Sequence, residues 1–152
     1  MTEENKRIAR RVFEELWSEG KLEVIDEIIS QDCRLYAPFP AEVVHVYSGY
    51  RERVITERQA FPDLRFNVED QIAEGDKVVT RWTLSGTHQG EYMGQSPTGN
   101  LTIQMGISIF RIVEGIIKEI WVISDELGWI QQLGVTMPGS FSRVSPAMGQ
   151  DE

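Results

Sequence analysis

Cysteine and histidine are scarce in this 152-residue chain: one Cys, Cys33, and two His, His45 and His88. A single thiol excludes an intrachain disulfide and any cysteine metal cluster, and so few donors argue against a structural zinc site. Cys33 reads instead as a small buried hydrophobe. Long apolar runs are missing too; none approaches the ~18 residues of a membrane span. The first residues, Met-Thr-Glu-Glu-Asn-Lys, have no signal-peptide pattern, so a cytoplasmic location is expected. Positive charge is short: 15 Lys and Arg stand against 24 Asp and Glu, a net charge of −9. Beyond the Lys6–Arg7 and Arg10–Arg11 pairs there is no basic cluster. Nucleic acid and an anionic membrane surface are therefore poor partners.

What is present suits a folded domain. Hydrophobic residues make up 41% and charged residues 26%, ordinary for a globular protein. One domain is expected over residues 1–137, followed by a flexible tail over 138–152 with Gly, Ser and Pro. Thr2 before Glu3 and Glu4 reads as a helix cap. Ile8, Val12, Phe13, Leu16 and Trp17 then share one helical face, and Gly20 ends the helix. A second helix is predicted over Leu22–Ile29 and a third over Tyr50–Phe61, with Tyr50, Val54 and Phe61 inward. Arg34–Tyr36 is a short strand, and 41–48 is expected to be loop.

After Pro62–Asp63 the apolar period changes from about 3.6 to 2. Leu64, Phe66 and Val68 alternate with polar residues. Lys77–Thr87, Leu101–Ile112 and Ile116–Ile123 read as long strands, the last two joined at Val113–Glu114–Gly115. Asp125–Leu133 is a short closing helix. Helices segregated from a run of strands mean an α+β fold. So few strands cannot close into a barrel, so the sheet must curl over the helices.

This order resembles the cone-shaped α+β fold of the nuclear-transport-factor-like superfamily. Its local text is similar to SnoaL-like polyketide cyclases. The resemblance rests on Ala60–Phe61–Pro62–Asp63–Leu64, Glu74–Gly75–Asp76–Lys77, Arg81–Trp82, and Gly86–Thr87–His88. It continues through Ile107–Ser108–Ile109–Phe110–Arg111, Trp121, and Asp125–Glu126–Leu127–Gly128. It implies a curved antiparallel sheet wrapped over three N-terminal helices, with a short C-terminal helix. It also implies a pocket for a small, apolar, oxygenated molecule, chemistry without metal or organic cofactor, and a homodimer through the outer face of the sheet. The strands Leu101–Ile112 and Ile116–Ile123 are apolar on both faces, as such a dimer needs.

The resemblance places the family's acid/base aspartate at Val122 and its partner histidine at Ser108. Neither residue takes a proton from carbon. Two readings stay open: an enzyme with a rearranged site, or a non-catalytic ligand-binding or dimeric protein with a vestigial pocket. Three residues are candidates for chemistry. Arg81 either anchors an anion or pairs with Glu119 or Asp70. Asp125 is either a displaced acid/base or the N-cap of the last helix. His88 is either a general base at the cavity mouth or a loop residue bonding to backbone. The expected pocket wall comprises Phe13, Trp17, Tyr36, Phe39, Thr83, Ser108, Trp121 and Val122.

Overall fold

Thr2–Arg11 forms α1, with Glu3 and Glu4 in its first turn and Arg10 and Arg11 in its last, as the helix dipole favours. Met1, not Thr2, stands at the N-cap, and no side chain bonds there. The computed structural model describes residues 1–37 and 42–134. Phe39 and the tail 138–152 lie outside the described residues. Beyond α1 the chain continues as a π-helix over Val12–Ser18. Ser18 Oγ donates to the Phe13 carbonyl (2.7 Å) and accepts from Phe66 N–H (2.9 Å), tying this wider turn to the sheet. Arg58 donates to the carbonyls of Trp17 and Ser18 at 2.9 and 2.8 Å. Those acceptors would otherwise be left open at a helix end.

The remaining elements are α2 (Glu23–Ile28), β1 (Ile29–Ala37), β2 (Glu42–His45), α3 (Val46–Ala60), β3 (Arg65–Glu74), β4 (Lys77–Thr87), β5 (Leu101–Val113), β6 (Ile116–Ser124) and α4 (Glu126–Gln132). The α+β class and the curved sheet agree with the sequence. Two details differ. A short strand, β2, lies within the expected 41–48 loop. The sheet is also mixed rather than antiparallel throughout: its order is β2-β1-β6-β5-β4-β3, and β1 runs parallel to β6. Alternation along a strand reports which residues share a face, not the direction of a neighbour far away in sequence. The β5–β6 hairpin turns at Glu114 and Gly115, both with positive φ, which suits the twist of the flanking strands.

One face of the sheet packs on the helices. Val78, Trp82, Leu84, Phe110, Ile112, Ile117 and Ile120 point inward and are buried. Phe13 touches Phe66, Trp82 and Phe110, with ring centroids 5.4, 6.3 and 5.6 Å away. Cys33 is fully buried, and burial pushes its thiol up to about 12, so it is no nucleophile at neutral pH.

Trp82 lies across β5 at Gly106, its partner in the ladder. A Cβ at Gly106 would sit 2.2 Å from Trp82 Cζ2, an impossible approach to a rigid ring. The indole Nε1 donates to Ser108 Oγ at 3.0 Å, which fixes the ring. Gly106→Ala is therefore expected to destabilise the fold by roughly 1–3 kcal/mol, the range for an overpacked core. Urea unfolding measures this; an unchanged midpoint would show that the Trp82 contact is dispensable.

Candidate functional site

The concave side of the sheet does not close completely on the helices. A cavity of about 730 Å³ remains between them. Its helical wall is Phe13 and Trp17 from the π-helical turn and Tyr50, Arg53 and Glu57 from α3; its sheet wall includes Trp82, Leu84, Gln104, Ser108 and Val122. Tyr92, Glu126 and Trp129 stand at one end. A mostly apolar hollow of this size, with a few convergent polar groups, is the usual form of a small-molecule site.

Glu57 is the buried charge in this wall, only 7% exposed. It lies one turn from Arg53, whose Nη2 donates to its Oε1 at 3.2 Å. The Tyr92 hydroxyl also acts on it, favouring the charged form. Burial raises the Glu57 carboxyl above the ordinary carboxylate range. The nearby Arg53 charge, its hydrogen bond and the Tyr92 hydroxyl oppose that shift, and the Glu126 carboxylate adds to it. Tyr92 is pushed upward by burial and by Glu57. Tyr50, stacked edge-on against Trp17, is pushed up to about 12 by burial. Both phenols thus stay protonated donors across the working pH range.

The position of Tyr92 is built by backbone. Gln89 N–H and Gly90 N–H both donate to the Ala60 carbonyl at the end of α3, at 2.9 and 3.0 Å. Only a glycine fits at 90, because a Cβ would lie 2.6 Å from the Gln59 oxygen. The loop then sets Tyr92 against Phe61 and Trp129, each with centroids 5.3 Å away. On the opposite wall Gln104 is buried, and its Nε2 has no hydrogen-bond partner among the described residues. A buried amide donor left open in a cavity is costly unless something accepts from it.

The residues singled out from the sequence divide between the two faces of the sheet. Phe13, Trp17, Ser108 and Val122 line the cavity. Tyr36, Thr83, Trp121 and Arg81 face outward. The physical reason is the ladder itself: Ser108 pairs with Thr80, and Arg81 pairs with Ile107, so Arg81 and Ser108 cannot share a face. Arg81 makes a surface ion pair with Asp70 at 3.1 Å. Tyr36 stacks on Trp121, centroids 5.5 Å apart, and its hydroxyl donates to Glu119. Arg81, Tyr36, Trp121 and Asp125 line a second, more open groove on the convex face.

Asp125 serves as the N-cap of α4, its Oδ1 accepting from Gly128 N–H at 2.9 Å. His88 is buried outside the cavity lining, stacked on Phe61, with Nδ1 accepting from Thr98 N–H at 3.2 Å. That bond puts the ring proton on Nε2. Both residues adopt the structural alternative open to them in the sequence. Glu57 and Gln104 went unnoticed there. The signal for Glu57 was available: it falls seven residues after Tyr50 and three after Val54, on the helix face read as apolar. Among the described residues no three His, Cys, Asp or Glu side chains gather as a metal site, and no helix is long and apolar enough to cross a membrane.

Because burial raises the Glu57 carboxyl, it binds a proton more tightly in the folded chain than in the unfolded one. The folded state then holds more protons between the ordinary Glu value and the raised one. Stability from this group is full below that window and lost as pH rises through it. In paired melts at successive pH values, wild type should lose stability relative to Glu57→Gln as pH climbs from 4 to 8. A constant difference would mean that Glu57 is not desolvated.

Comparison with known proteins accords with the fold. A family model described as SnoaL-like polyketide cyclase matches residues 7–133. A solved structure assigned as a polyketide cyclase from Acidithiobacillus ferrooxidans is 33% identical, with a TM-score of 0.76, over 86% of this chain and 94% of that one. AclR from Streptomyces galilaeus, assigned as a hydroxylase, is 28% identical with a TM-score of 0.78, over 88% of this chain and 98% of that one. IdmH from Streptomyces antibioticus, assigned as a polyketide cyclase, is 29% identical with a TM-score of 0.76, over 86% and 99%. No curated protein sequence matches.

Proposed function

The chain belongs to the SnoaL-like polyketide cyclase family, and from that premise we propose that its cavity binds a small, apolar, oxygenated molecule without metal or organic cofactor. The observation that carries this reading is the 730 Å³ hollow lined by Phe13, Trp17, Trp82 and Val122 with a few polar groups set into it. Aromatic walls favour a flat ring system. The open donor of Gln104 and the phenol of Tyr50 suit ring oxygens as acceptors.

A second reading is a binding protein that performs no reaction. Val122 and Ser108 favour it, since they occupy the cavity positions where the resemblance places an aspartate and a histidine.

2-Naphthol is a suitable probe of the pocket: neutral, bicyclic and oxygenated. In calorimetric titrations at several temperatures it should bind saturably with a negative heat-capacity change, the mark of apolar burial. Val122→Phe, which fills the hollow from the sheet wall, should weaken binding at least tenfold. Folded wild type that gives no saturable heat would sink the reading.

A homodimer through the convex face goes with this proposal. Met105, Ile107 and Ile123 are 60%, 48% and 69% exposed there, on neighbouring strands. With Leu101 and Ile103 they make a contiguous apolar surface of the kind that marks an interface. A second copy of the chain, related by two-fold symmetry, presents the matching surface. Sedimentation at micromolar concentration should show a two-chain particle, and Ile107→Lys should shift it to a single chain. A wild-type monomer would remove the dimer from the proposal.

A further inference from the structure

We propose that Glu57 of α3 is the general base of this cavity, taking a proton from a carbon acid while Gln104 Nε2 donates a hydrogen bond to the oxygen that becomes negative. The inference rests on the cavity being a ligand site. It places the acid/base on the helix wall, whereas the resemblance places it on the sheet at Val122.

Four observations converge. Glu57 is buried and lines the cavity, so a bound molecule meets its carboxylate away from water. Arg53, half exposed at the rim, donates to only one of its oxygens among the bonds described, at 3.2 Å. Tyr92, on a loop pinned to the end of α3, lines the same cavity and favours the Glu57 carboxylate. Gln104 offers a buried, unpartnered N–H donor from the facing sheet wall. A base on one wall and an open donor on the other are the two groups that enolisation requires.

The step balances without any co-reactant. The C–H bond next to a carbonyl breaks, and its proton goes to a Glu57 carboxylate oxygen. The electron pair of that bond becomes the C=C bond of an enolate, and the carbonyl π pair moves onto oxygen. That oxyanion accepts from Gln104. Return of the proton from Glu57 to carbon completes the turnover; alternatively the enolate carbon attacks a second carbonyl within the same molecule, the first carbonyl re-forms, and the new alkoxide takes the proton back from Glu57. The substrate class is therefore a small, mostly apolar ketone or diketone with an acidic C–H.

5-Nitrobenzisoxazole tests the base without knowledge of the natural substrate. A base removes its C3 proton, the N–O bond breaks, and the electron pair leaves on oxygen as 2-cyano-4-nitrophenolate, which is coloured. Wild type should show saturable turnover. Glu57→Gln should lower kcat/KM at least 100-fold, the least expected of a general base. Glu57→Asp should retain part of the rate, and Asp70→Asn, on the outer face, should retain all of it. Circular dichroism verifies that each variant is folded.

The wild-type pH profile decides the matter should Glu57→Gln not fold. The groups that face Glu57 are Arg53 and Tyr50 on α3, Tyr92 on the loop and Glu126 on α4. Arg53 and the two phenols do not titrate below pH 8, so the rate should rise through a single ionisation above the ordinary carboxylate range. A rate that only tracks hydroxide, or a folded Glu57→Gln with undiminished turnover, overturns the proposal while leaving a 2-naphthol-binding pocket intact. If neither 2-naphthol nor the isoxazole binds, the pocket reading itself fails and the base fails with it.

Discussion

The fold depends on how Phe13 meets the sheet. Its ring contacts Phe66 on β3, Trp82 on β4 and Phe110 on β5, three successive strands, from one position in a π-helical turn. That one side chain holds the curvature of the sheet against the helix. Trp82 can join the contact only because Gly106 leaves room across β5. Ser18, at the end of the same turn, bonds back to Phe13 and forward to Phe66. Packing of aromatics by edges and tilted faces is tight at the contact, yet it leaves space beyond. The cavity is what remains where the helices and the curved sheet diverge.

Much of this was legible in the chain. The strands β4, β5 and β6 follow from period-2 alternation, and the hairpin at Glu114–Gly115 follows from its turn residues. The first helix followed from the 3.6 period, although its π-helical continuation did not. A π turn shifts the apolar stripe by a fraction of a turn and leaves no distinct composition. The strand β2 was missed because four residues between prolines and a helix carry too little pattern. The parallel pairing of β1 with β6 was missed because it joins segments at least 85 residues apart.

The site was legible only in part, for a specific physical reason. In a sheet with one wet face, polar residues mark the outside. Here β5 and β6 carry Met105, Ile107 and Ile123 outside and Phe110, Ile120 and Val122 inside. Alternation then gives the two faces of each strand but not which one is concave. Tyr36, Thr83 and Trp121, expected in the pocket wall, face outward because of that ambiguity. The ladder removes the ambiguity, because Trp82 and Thr80 pair with Gly106 and Ser108. Asp125 carried its own local answer, an acidic residue followed by a helix whose third amide it caps. Glu57 was visible as a carboxylate on an apolar helix face. A mid-helix Glu is a common surface residue, and only the fold brings that face against the cavity.

The uncharged sheet wall and the carboxylate on α3 have one electrostatic ground. Glu57 and Glu126 already raise the cost of negative charge in this cavity. A further carboxylate at Val122, which lines the same hollow, would repel both, and like charges in a poorly solvated space drive one of them to the neutral form. Valine at 122 and serine at 108, the latter already accepting from Trp82, keep the sheet wall uncharged. Arg53 is positioned to offset one carboxylate, not two. The cavity therefore supports a single buried base, and α3 can supply it near the rim, where Arg53 reaches solvent with one end and Glu57 with the other. The charge that the fold can neutralise is the one at Glu57.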